Sequence, residues 1–142
     1  MASARDVAEY ILHSRGAMSA MKLQKLVYYS QAWHLVWCEE PLFDERIEAW
    51  ANGPVLPSLY EQHRGLFMLS PGAFSEEFHL SDEEQDSVER VLNAYGGKTS
   101  QWLSNLTHSE APWLEAREGL ADGERGNHEI TPAAMAEYYD SL

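Results

Sequence analysis

The sequence predicts a mainly α fold, a single compact helical domain around a central apolar helix at about residues 19–38, with one or two short β-strands. Three observations lead there. The chain has 142 residues, enough for one domain with its own core and too few for two ordinary ones. Hydrophobic residues make up 44% of it, with five tryptophans and seven tyrosines, so a packed core is expected in place of disorder. Finally, Ser3, Ser19, Ser81, Thr99 and Thr131 each stand before a helical run as capping residues.

Taken in order, the first helix runs from Ser3 to about Arg15, with Val7, Ala8, Ile11 and Leu12 on one face and Gly16 at its end. Ser19 opens the long helix. Leu23, Leu26, Val27, Ser30, Trp33, His34 and Trp37 follow the helical rhythm, and Tyr28, Tyr29, Ala32, Leu35, Val36 and Cys38 fill the other sides. A helix apolar nearly all round is expected at the centre, with Trp33 and Trp37 largely buried. After Pro41, the alternation of Phe43, Glu45, Ile47 and Ala49 predicts an extended strand to Trp50. Asn52-Gly53-Pro54 predicts a turn, and Pro57 opens a helix that stops near Gly65. Residues 65–80 read as a loop with an extended piece near Phe78 and Leu80. Ser81 and Glu84 form a capping box for a helix ending at Gly96-Gly97. Thr99 caps the next, with Trp102, Leu103 and Leu106 inward. Pro112 starts a short helix, residues 119–127 form a polar loop, and Thr131-Pro132 begins the last helix.

The formal net charge is −13, from 23 acidic and 10 basic residues. Such a field repels phosphate backbones and anionic lipids, so direct nucleic-acid binding is not expected and a basic protein partner is favoured. The stretch Leu26–Cys38 is too short and too polar to span a membrane, and the N-terminus lacks a signal pattern. A cytoplasmic location is the expectation.

Catalytic signatures are missing: no phosphate-cradling glycine loop, no His-Glu-x-x-His and no Gly-x-Ser-x-Gly. His108-Ser109-Glu110 has the spacing of a deaminase half-site, but that chemistry needs a cysteine pair and Cys38 is single. Glu39 and Glu40 beside Cys38 disfavour its thiolate, so a structural thiol is expected. His34 reads as a core histidine with one satisfied hydrogen bond. No cofactor or metal is expected. Two corners are richer than a core requires: Ile47–Trp50 with Gly53-Pro54-Val55, Pro57 and Tyr60, and Leu106–Glu110 with Pro112-Trp113. Either a fold-defining or a binding role suits both. In the second corner, side-chain acceptors are expected to cap the next helix.

Met21-Lys22-Leu23-Gln24-Lys25-Leu26-Val27-Tyr28-Tyr29-Ser30-Gln31-Ala32-Trp33-His34 resembles the hallmark helix of the Panacea antitoxin domain, found in SocA-like and phage-associated proteins. Pro41-Leu42-Phe43 leading to Ile47–Trp50, with Gly53-Pro54-Val55 and Tyr60, is similar to its next block. Leu106–Trp113 is similar to the third, and Ile130-Thr131 to the end. The resemblance implies one Panacea domain over 1–142 and a role as an antitoxin that neutralises a cognate toxin, encoded by the adjacent gene, through direct binding. It implies no active site. It also leaves open an adaptor that delivers the toxin to the ClpXP protease; a third reading is a histidine-based metal hydrolase. On the antitoxin reading, Trp50, Tyr60, Phe67 and Trp113 are the expected exposed anchors, with Met68 beside Phe67 in a variable loop. Glu48 and Glu110 are the expected charged partners for a basic toxin.

Overall fold

The computed structural model describes residues 1–142 and contains seven helices and two small two-stranded sheets. The helices are α1 (Ala4–Arg15), α2 (Ala20–Cys38), α3 (Pro57–His63), α4 (Asp82–Tyr95), α5 (Ser100–His108), α6 (Ala111–Ala116) and α7 (Pro132–Asp140). The strands are β1 (Met18–Ser19), β2 (Glu48–Trp50), β3 (Gly53–Val55) and β4 (Met68–Leu69). The fold is mainly α, as the periodicity predicts.

The five predicted caps all form. Ser3, Ser19, Ser81, Thr99 and Thr131 each accept a hydrogen bond from the amide three residues on, and Ser3 and Ser81 complete capping boxes with Asp6 and Glu84. Gly16 ends α1 with φ 83°, where a side chain would be strained.

Helix α2 is the spine. It packs against α1, α4, α5 and α7 and against β3. Every residue from Leu23 to Ala32 is buried, so burial there does not follow one face. Polar residues on this helix organise the irregular chain around it. Gln24 accepts from the Leu56 amide at 2.9 Å and donates to its carbonyl at 3.3 Å. Two turns later, Gln31 accepts from the Leu42 amide at 2.7 Å and donates to the Phe43 carbonyl at 2.8 Å. Both connections are thus held without secondary structure of their own, and their backbone groups are satisfied inside the core.

Several expectations are corrected. Trp33 and Trp37 are only half-buried: they stack on each other at 5.5 Å at the end of α2, where the packing thins toward Glu39. Trp102 is 42% exposed and lies under Lys98 rather than pointing inward. The predicted strand from Phe43 shortens to β2, because the backbone of 42–43 is engaged by Gln31 instead of a neighbouring strand. The turn falls on Ala51-Asn52, so Gly53 and Pro54 belong to β3, which pairs antiparallel with β2. Pro54 faces Ala49, whose carbonyl accepts from Arg117 and whose amide bonds to the His128 carbonyl, so the proline's missing donor is not needed. The extended piece in the long loop lies at β4 rather than near Phe78, because Met68 and Leu69 pair with β1.

Candidate functional site

The hairpin β2–β3 stands against the first turns of α2. Gly53 has φ 131°, and a Cβ there would lie 3.3 Å from Lys25 Cε and 3.5 Å from Thr107 Oγ1. Only glycine satisfies both the backbone angle and the close approach. The hairpin, α2, α3 and the 125–127 segment enclose an open pocket of about 880 Å3. Met21 and Gln24 come from α2, Trp50, Asn52 and Val55 from the hairpin and its turn, Tyr60 from α3, and Arg125 from the far loop. Trp50 and Tyr60 meet edge to face at 4.9 Å. Glu48 also lines the pocket, with one oxygen accepting from Trp50 Nε1 at 2.8 Å and the other paired with Arg46 at 2.9 Å.

A second feature adjoins it. Leu66, Phe67 and Met68 form an exposed apolar tip, with Phe67 77% and Met68 52% exposed. The tip is tied to the pocket wall: Ala20, next to Met21, donates its amide to the Phe67 carbonyl at 2.8 Å. The following loop is fastened from behind by Glu9, which is fully buried. Its carboxylate accepts from the amides of Gly72 (2.8 Å), Phe74 (2.8 Å) and Ser75 (3.1 Å). Arg5 adds a bond to the Phe74 carbonyl at 2.6 Å.

Five of the seven site residues expected from sequence therefore share one region: Glu48, Trp50 and Tyr60 at the pocket, Phe67 and Met68 at the tip. The exposure expected of the other two is corrected. Glu110 is 5% and Trp113 9% exposed. Glu110 is the N-cap of α6 yet makes no side-chain cap; it turns inward and accepts from the hydroxyls of Tyr29 (2.6 Å) and Tyr139 (2.8 Å). Burial raises its pKa, and these two hydrogen bonds oppose the rise. Trp113 stacks on His108 at 4.2 Å and donates Nε1 to the Trp50 carbonyl at 2.9 Å, so it braces the hairpin from inside. Arg117 assists by donating to the Ala49 carbonyl at 3.0 Å.

His34 is buried with Nδ1 2.8 Å from Ser87 Oγ, and burial lowers its pKa. Cys38 is half-buried, 3.8 Å from the same hydroxyl, and burial raises its thiol pKa. No three His, Cys, Asp or Glu side chains stand close enough together to hold a metal ion, and no helix is long and apolar enough to cross a membrane.

The sequence reading missed Lys25 and Glu9. Both were legible as charged residues at apolar helix positions, the pattern that marks a charge held inside.

The architecture is thus a mainly helical fold with a pocket lined by Trp50 and Tyr60 and an apolar tip. The family model for "Antitoxin SocA-like, Panacea domain" matches residues 23–114, from α2 to α6. The chain belongs to this SocA-like, Panacea-domain antitoxin family. No curated protein and no solved structure matches it.

Proposed function

We propose that this protein is an antitoxin that neutralises a cognate toxin, the product of an adjacent gene, by direct binding and without chemical modification of it. Membership of the antitoxin family carries the reading. The pocket–tip region supports a binding role because it offers aromatic and apolar groups on a braced backbone, the composition of an interface centre. We assign Glu48, Trp50, Tyr60, Phe67 and Met68 to the toxin-facing surface. Glu110 and Trp113 act behind it, holding the hairpin and α6 in place. The whole chain 1–142 works as one domain on this reading, which α1 and α7 support by packing on α2 outside the matched segment. The protein acts in the cytoplasm, with no cofactor.

The net charge of −13 favours a basic toxin and fast encounter. The direct test is co-expression with the neighbouring gene's product. Growth should be restored, and the pair should co-elute with the toxin's mass unchanged. A toxin that emerges covalently altered and unbound would overturn the reading. Delivery to ClpXP is separated by toxin half-life: occlusion leaves it unchanged in cells with and without the protease.

A further inference from the structure

The tip carries a free strand edge. Strand β4 pairs with β1 alone, with Met18 opposite Leu69 and Ser19 opposite Met68. The bond from the Ala20 amide to the Phe67 carbonyl fixes the phase of this ladder. In an antiparallel pair, hydrogen-bonded and non-hydrogen-bonded positions alternate. Since Ala20 bonds to Phe67, the next pair, Ser19 and Met68, is a non-bonded one, and the amide and carbonyl of Met68 point away from β1. No turn or cap bond reaches either group, and the sheet has no third strand. A donor and an acceptor therefore stand side by side on the outer edge of β4, next to the exposed side chains of Leu66, Phe67 and Met68. Proteins ordinarily guard such an edge with a charge, a proline or a bulge, because an open apolar edge recruits other strands. From Gly65 to Ser70 this chain has no charged residue and no proline. The edge is also held in place. Leu69 is buried beneath it, and Glu9 fastens the loop that follows through the amides of Gly72, Phe74 and Ser75. An edge fixed in this way loses little freedom when it is covered.

We infer that β4 is a docking edge for an extended segment of the toxin, which adds to the sheet as a third strand and pairs with the Met68 amide and carbonyl. An extended segment fits because it brings its own unpaired N–H and C=O groups. Side chains alternate along β4, Met68 outward and Leu69 inward, so the segment sets an apolar residue opposite Met68, within reach of Phe67. The net charge selects the occupant: two copies of a chain carrying −13 repel each other, whereas a basic chain is drawn in. This inference rests on the antitoxin reading and on the assignment of the tip to the toxin-facing surface. It adds the mode of recognition, in which backbone bonds supply affinity and the tip side chains supply specificity.

The test uses the full-length protein and the product of the neighbouring gene, with amide hydrogen exchange followed by NMR. The Met68 amide should exchange freely in the protein alone and about tenfold or more slowly in the complex, with nuclear Overhauser contacts from Met68 to the toxin backbone. Met68→Pro removes a donor that the fold does not use, so its melting temperature should stay near that of Met68→Ala. Its toxin affinity should fall about tenfold below that of Met68→Ala, as expected for a lost backbone hydrogen bond. An unprotected Met68 amide in the complex, or equal affinities of the two variants, would overturn strand addition. If the proline variant fails to fold, exchange and backbone contacts in the wild-type complex decide. Protection of Met68 without toxin, together with a doubled mass in sedimentation, would give the edge to a second copy and overturn the toxin strand. Growth rescue by the wild type is scored first. No rescue and no complex removes the antitoxin reading and this inference with it, whereas rescue with an unprotected Met68 amide removes the strand edge alone.

Discussion

The hydroxyl of Tyr29 donates to Glu110 Oε1 at 2.6 Å, joining the middle of α2 to the N-cap residue of α6. The same oxygen accepts from Tyr139 on α7, whose hydroxyl lies 3.0 Å from that of Tyr28. One buried carboxylate thereby links three helices and sits inside a cluster of tyrosine rings.

Glu110→Ala should lower stability by about 2–4 kcal/mol, because it leaves buried hydroxyls without an acceptor. Glu110→Gln keeps a carbonyl acceptor and should lower it less. The sign of the pH effect follows from the raised pKa. The contribution of Glu110 is full below the ordinary carboxyl value of 4.5 and is lost as pH rises through the elevated folded value. Chemical denaturation of wild type and Glu110→Gln across that window should show the wild type losing ground as pH rises. Parallel curves would count against a buried, titrating Glu110.

Glu9→Ala should release the loop after the tip. Three amides lose their acceptor at once, and a loss of about 2–4 kcal/mol is expected. Hydrogen exchange at Gly72, Phe74 and Ser75 should quicken well before that of α2. If those amides stayed protected, the carboxylate would not be what holds the loop.

Phe67→Asp should abolish growth rescue and co-elution with the toxin. Phe67 is 77% exposed, so the melting temperature should stay within the range of a surface substitution. Rescue by the variant at wild-type strength would move the toxin surface away from the tip.

His34 gives the opposite pH signature to Glu110. Burial depresses its pKa, so its contribution is present above the ordinary value of 6.5 and is lost as pH falls through the depressed folded value. The stability gap between wild type and His34→Gln should therefore narrow on acidification, measured by urea midpoint. A gap independent of pH would mean that the ring does not titrate differently in the two states.

What the sequence determined by itself was local. Cap residues, the period of apolar side chains and Pro at helix starts act within a few residues, so the helix starts were legible at Ser3, Ser19, Ser81, Thr99 and Thr131. The residues that carry the family resemblance were legible for the same reason, being contiguous blocks, and the family model covers residues 23–114. Five residues of the candidate region were named from sequence: Trp50, Tyr60 and Phe67 as large aromatic residues beside turns, with Glu48 and Met68 near them. Tertiary structure alone decided which of them face outward. Trp113 and Glu110 read like a surface corner, yet α7 and the hairpin close over them, and pairing with Tyr139 or the Trp50 carbonyl depends on chain segments far away in sequence. The same holds for β1 and β4, two residues each, whose pairing has no local signal. It holds most for Lys25. Its helical position can be read from the sequence, but its burial against Gly53 and its lack of a counter-charge arise only when β3 and α5 pack over α2, because burial and Coulomb interaction depend on distance in space.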